Sequence, residues 1–93
     1  MRSGMGWAIE FDPAAERELD RLDPQVARRI LKFLLDRVAN LEDARSVGGA
    51  LRGSRLGEFW KYRVGDYRIV ASIEDGVMRI LVVAIGHRRE IYK

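Results

Sequence analysis

The 93 residues carry 17 Lys+Arg against 14 Asp+Glu, a net charge of +3, and fit one domain spanning residues 1–93. An apolar fraction of 47% excludes a disordered chain, and the absence of Cys excludes a disulfide scaffold and a thiolate zinc site. His87 is the single histidine, so a His-rich metal cage cannot form and no cofactor is expected. The longest apolar run, Ile80 to Ile85, is too short to span a bilayer, and the opening MRSGMG lacks the apolar core of a signal peptide. The expectation is a soluble, cytosolic protein with no membrane partner, flexible at residues 1–5.

Trp7 to Phe11 alternates as a short strand does. Asp12-Pro13 then supplies an N-cap and a proline at the first helical position, starting a helix that runs to about Leu22. Asp23-Pro24 repeats the signal. The second helix continues through Asn40, with Val26, Ile30, Phe33, Leu34, Val38 and Leu41 at helical spacing. Two antiparallel helices follow, each needing a partner for its apolar stripe. Glu42 to Arg55 reads as a loop broken by Gly48, Gly49 and Gly53. Three strands come next, at about 58–64, 67–74 and 77–86, joined by Gly65-Asp66 and Asp75-Gly76 as two-residue turns. The predicted fold class is α+β: an N-terminal strand, an antiparallel helix pair, and a three-stranded antiparallel meander, forming one sheet with the helices packed on one face.

Period two assigns the faces. Two-residue turns pair Arg63 with Arg68, Val64 with Tyr67, and Glu74 with Val77. The core face then carries Trp60, Tyr62, Val64, Tyr67, Ile69, Ala71, Ile73, Met78, Ile80, Val82 and Ala84. The other face carries Lys61, Arg63, Arg68, Val70, Ser72, Arg79, Leu81 and Val83.

Charge concentrates on that second face. Residues 1–47 sum to −1 and residues 48–93 to +4. Arg63 opposite Arg68, with Lys61 close by, costs the hairpin a few tenths to about 1 kcal/mol, a cost most readily retained where an anion relieves it. Alternatively, Glu58, Glu74 or Glu90 neutralises the cluster within the fold. Beside it, Val70, Leu81 and Val83 form an apolar strip, either open to a partner or covered by the loop at 42–55 or the last residues. The closing segment, Gly86 to Lys93, brings His87, Arg88, Arg89, Glu90 and Tyr92 past the last strand. Cleavage of RNA through a ribose 2′-hydroxyl needs such groups: a proton acceptor, a proton donor and cations for a charge-rich transition state. His87 also fits an ordinary surface position at a strand end, and Tyr92 an anchor for the C-terminus. Neither GxGxxG nor GxxxxGK[ST] occurs, so nucleotide binding has no support.

The hairpin Trp60-Lys61-Tyr62-Arg63-Val64-Gly65-Asp66-Tyr67-Arg68-Ile69-Val70 and the closing Gly86-His87-Arg88-Arg89-Glu90-Ile91-Tyr92 resemble the RelE/ParE superfamily of bacterial toxins from toxin–antitoxin pairs. The first strand, the helix pair and Leu51-Arg52-Gly53 extend the resemblance over nearly the whole chain. It implies a RelE-like, ribosome-dependent mRNA endoribonuclease that works without a metal and leaves a cyclic phosphate. It further implies Lys61 as base or charge stabiliser, Arg63 and Arg68 as transition-state stabilisers, Arg88 as acid or phosphate clamp, and Tyr92 as the residue that stacks on or orients the nucleotide. Arg52, His87 and Arg89 are expected to contact RNA. The implied partners are the ribosome with its message and a cognate antitoxin, docking at Val70, Leu81 and Val83 or on the surface of the second helix. Operator DNA is reached only through the antitoxin complex. Two alternatives stand beside it: a ParE-like inhibitor of DNA gyrase with no nuclease activity, and a pure binding module whose basic face serves only an acidic antitoxin and autoregulated operator binding. Arg63 departs from members with Lys there, and nothing after Lys93 supplies the further helix some relatives carry.

Overall fold

In the computed structural model, residues 6–51 and 59–87 are described. Residues 1–5, with their expected flexibility, lie outside this set, as do Arg52, Arg88, Arg89 and Tyr92. Strand β1 (Ala8–Phe11) leads into helix α1 (Pro13–Asp20), where the Asp12 carboxylate accepts from the Ala14 N–H at 3.1 Å. Helix α2 (Pro24–Lys32) starts the same way, with Asp23 accepting from the Gln25 N–H at 2.9 Å. The helical path does not stop at Lys32. It loosens into a π-helical turn (Phe33–Arg37) and tightens into a 3₁₀ turn (Val38–Asn40), so the segment reaches Asn40 as expected. Trp7 clips this end down: its backbone N–H bonds the Ala39 carbonyl at 2.8 Å, and its indole N–H the Leu41 carbonyl at 3.1 Å.

The remaining strands are β2 (Gly49–Ala50), β3 (Phe59–Val64), β4 (Tyr67–Glu74) and β5 (Arg79–His87). They form one five-stranded mixed sheet in the order β1-β5-β4-β3-β2, with β1 parallel to β5 and the other neighbours antiparallel. The expected three-stranded meander is therefore its centre. Ile30, Leu34 and Val38, all fully buried, pack the helical stripe onto Tyr62, Ile69, Ala71, Ile80 and Val82. Each such aliphatic side chain contributes roughly 1.5–3 kcal/mol by leaving water.

Three local details depart from period-two reasoning. First, the segment expected to be a loop at 42–55 supplies β2, with Gly49 opposite Lys61 and Ala50 opposite Trp60. Side chains strap the approach to it: the Tyr62 hydroxyl donates to the Ala44 carbonyl at 2.6 Å and the Trp60 indole to the Val47 carbonyl at 2.7 Å. Second, Asp75 to Val77 make a 3₁₀ turn and Met78 takes the left-handed conformation at φ 50°, so Glu74 pairs with Arg79 rather than Val77. The two-residue shift leaves the faces unchanged but moves Met78 into the turn. Third, the ladder slips between Val70 and Ala71, leaving Val83 as the extra residue of β5. Beyond this bulge the faces exchange. Ala84, expected in the core, stands opposite Val70 on the other face, and Ile85 enters the core opposite Ile69.

Candidate anion site on the β3–β4 hairpin

The first hairpin turns through Gly65 at φ 59°, a left-handed value that opens a two-residue turn only glycine enters at low cost. That turn fixes the register, and Arg63 and Arg68 face each other as expected. Their environments differ: Arg63 is exposed, whereas Arg68 is only 6% exposed. Opposite Arg68 on its other side is Gly86, which brings no side chain to compete for the space. Lys61 stands between Gly49 of β2 and Val70 of β4.

Gly48, Gly49, Lys61, Tyr62, Arg63 and Arg68 enclose a recess of about 250 Å³. The glycines have separate roles. Gly48 has φ 84°, and a Cβ there would collide with the Lys61 carbonyl and stand 2.8 Å from the Trp60 indole nitrogen. A Cβ at Gly49 meets nothing within 4 Å. Because residue 49 sits opposite Lys61, a side chain there would stand beside the lysine, and glycine keeps that space open. The sequence marks both glycines only as loop breakers, since a two-residue strand has no periodicity to reveal it.

Among the described residues, two carboxylates of the neighbouring strand end are engaged elsewhere. Glu74, one proposed neutraliser, holds Arg79 at 2.6 Å, while Glu10 approaches the same guanidinium at 3.7 Å. Asp75 forms a two-point pair with Arg45, 3.0 Å at each contact, which holds its carboxyl below the usual range. Glu58 and Glu90 lie outside the described residues. Tyr62 also borders the recess, but burial pushes its phenol up to about 12, so it stays protonated and bonded to Ala44.

His87 ends β5 opposite Tyr67, their rings edge to face with centroids 5.7 Å apart. The register places it with Tyr67 and Ile69, on the helix-facing side, not beside Lys61, Arg63 and Arg68. The apolar strip also divides. Val70 is only 5% exposed and, with Val83, lines a groove of about 410 Å³ shared with Glu18, Leu51, Phe59, Ala84, Ile85 and Gly86. Leu81 lies farther along, half-buried between Ser72 and Glu10. Leu51, from the segment expected to be a loop, is thus part of the groove wall. Glu18 closes the groove's far side by accepting the Ile85 N–H at 2.8 Å, beyond the end of β1.

Among the described residues, no three His, Asp or Glu side chains are grouped to hold a metal ion, and no helix is long and apolar enough to cross a membrane.

The fold is shared with chains of solved toxin–antitoxin complexes. A chain of the RelBE2 toxin–antitoxin complex from Mycobacterium tuberculosis superposes with a TM-score of 0.79 at 23% identity, over 95% of this chain and 98% of that one. A chain of the intact E. coli RelBE toxin–antitoxin complex gives 0.70 at 24% identity, over 87% and 95%. At such identity the likeness is one of fold. In sequence the chain is 32% identical to Toxin RelE of M. tuberculosis over 85 residues, 91% of this chain and 84% of the relative. It is 27% identical to Toxin RelG of the same organism over 89 residues, 96% and 99% of the two chains. The family model for the ParE toxin of the type II toxin–antitoxin system parDE matches residues 9–92. The chain belongs to the RelE/ParE toxin family of type II toxin–antitoxin systems.

Proposed function

We propose that this toxin is a RelE-like, ribosome-dependent mRNA endoribonuclease that inhibits translation, needs no metal or cofactor, and is neutralised by a cognate antitoxin. The observation that carries the reading is Arg63 directly opposite Arg68, with Lys61 alongside, around a recess that Gly49 leaves open. Three cations on one small surface suit a phosphodiester passing through a more highly charged transition state. In the proposed reaction a ribose 2′-oxygen loses its proton and attacks the adjacent phosphorus. The bond to the 5′-oxygen breaks, that oxygen takes a proton, and a 2′,3′-cyclic phosphate remains. Lys61 accepts the first proton or stabilises the charge, Arg63 and Arg68 hold the phosphoryl oxygens, and Arg88 supplies the second proton or clamps the phosphate. Tyr92 orients the nucleotide, with Arg52, His87 and Arg89 contacting RNA. The ribosome supplies the in-line geometry that so small a site does not impose by itself. The 32% identity to a protein named Toxin RelE supports this reading.

The apolar groove beside Val70 and Val83 is the proposed seat of the antitoxin, and Leu81 its margin. Operator DNA would be bound only by the toxin–antitoxin complex, and the site of action is the cytoplasm. A second reading has its own support: the matching family model is that of ParE toxins, so inhibition of DNA gyrase without RNA cleavage competes with the nuclease. Toeprinting on translating ribosomes separates them. Cuts at the A-site codon, lost in an Arg68→Ala/Arg88→Ala double variant, are expected. Intact messages with accumulating cleaved-DNA–gyrase complexes would decide for the alternative.

A further inference from the structure

Helix α2 carries a second concentration of positive charge, on the opposite side of the sheet from the recess. Gln25, Arg28, Arg29 and Lys32 follow one another at helical spacing, line one shallow recess, and are all exposed. Among the described residues, none of the three cations takes part in an ion pair. Arg28 and Lys32 are four residues apart and Arg29 and Lys32 three, so like charges face one another at a cost of a few tenths of a kcal/mol per pair. Cations are favoured at the last turn of a helix, where the dipole is negative. That does not explain these, because the helical path runs on through Asn40 and its exposed carbonyl end lies two turns later. A bound polyanion would relieve the repulsion.

We infer that the Gln25–Arg28–Arg29–Lys32 stripe is a second polyanion-binding surface that takes the sugar–phosphate backbone of structured RNA. The centre of a protein interface is apolar and aromatic, admitting arginine but poor in lysine. This stripe has no apolar member, and the nearest exposed apolar side chain, Leu35, lies beyond Lys32. Four polar side chains over eight residues span about 10 Å, a reach suited to successive phosphates across a shallow RNA minor groove. Arg29 connects the two basic surfaces. Its guanidinium lies at the hairpin tip, where a Cβ at Gly65 would be 3.5 Å from Nη2, and Arg63 and Arg68 stand on the other face of that hairpin. One extended RNA, or two segments of one ribonucleoprotein, can meet both surfaces. The inference rests on reading the toxin as RNA-directed, yet its test does not need cleavage.

Binding of the full chain to a labelled RNA duplex of about 16 base pairs is measured from about 50 to 200 mM salt. An Arg28→Gln/Arg29→Gln/Lys32→Gln variant should bind roughly ten- to a hundredfold more weakly, with the slope of log affinity against log salt reduced by about 2–3. Arg28→Gln alone should lower the slope by about 1. An Arg21→Gln/Arg37→Gln variant removes exposed charge beside the stripe and should stay within about twofold of wild type. Equal loss in both multiple variants would reduce the effect to net charge and overturn the inference. So would an unchanged slope in the triple variant, including one accompanied by lost binding to an acidic antitoxin, which would give the surface to a protein. If the slope falls as expected while messages on ribosomes stay intact, the stripe stands and the nuclease reading fails. If messages are cut and the slope is unchanged, the reverse holds.

Discussion

On the proposed function, Arg63 opposite Arg68 sets repulsion across the hairpin against attraction for a phosphate, so stability and function should move in opposite directions when the Arg63 charge is removed. Arg63 is the better probe because it is exposed and its replacement leaves no buried group behind. Arg63→Gln should gain a few tenths of a kcal/mol, raising the melting temperature by about 1–4 °C, and should lower message cleavage at least about tenfold. Gly49→Leu tests the recess by filling it. Thermal unfolding should shift little, since a Cβ there meets nothing, while cleavage should fall by more than about tenfold. Equal losses of stability and activity would mean that residue 49 serves the fold alone. Tyr62 sets a pH limit. Its phenol titrates near 12 in the folded protein against an ordinary value of 10.0. The stabilisation is therefore complete below about pH 10 and is lost as pH rises toward 12, because the raised value belongs to the folded state. Denaturant melts from neutral pH to pH 12 should show that decline in the wild type and its absence in Tyr62→Phe. That variant should also be less stable at neutral pH by about 0.5–1.5 kcal/mol, for the lost bond to Ala44.

Elements differ in how much of their geometry the chain declares. The two helices begin where Asp12-Pro13 and Asp23-Pro24 announce them, because capping is a local event among adjacent residues. The first hairpin is equally plain, since Gly65 occupies the position that needs a positive φ. Asp75-Gly76 is misleading for the opposite reason: the left-handed residue of that turn is Met78, and the strand restarts two residues later than period counting suggests. The bulge that turns Ala84 outward and Ile85 inward belongs to the pairing of two strands, so neither strand shows it alone. Strand β2 is two residues long, held by Tyr62 and Trp60 reaching across from β3. Lys61, Arg63 and Arg68 were thus readable as a cluster, but the glycine-walled recess around them was not. Gly48 makes the dependence on β2 testable. Gly48→Ala meets both an unfavourable φ and a steric collision, and should cost more than about 1–3 kcal/mol in chemical denaturation. An unchanged midpoint would show that the β2 approach is not part of the cooperative fold.

At the scale of the molecule, the sheet keeps two tasks apart. Its helix-facing side buries Ile30, Leu34 and Val38 against the central strands, and its other side presents the hairpin cations. Strand β1 was legible but its partner was not: parallel pairing to β5 joins residues some seventy positions apart, a relation absent from local pattern. The same separation places Arg28, Arg29 and Lys32 behind the sheet and Arg63 and Arg68 in front, meeting at Gly65. The central claim is that the hairpin cations perform phosphodiester cleavage on the ribosome. The most direct test maps the 3′ ends of messages cut on translating ribosomes by the wild-type toxin and by a Lys61→Gln/Arg63→Gln variant. The account predicts 2′,3′-cyclic phosphate ends at the A-site codon, reduced at least about a hundredfold in the variant. Intact messages with the wild type, or undiminished cuts with the variant, would contradict it.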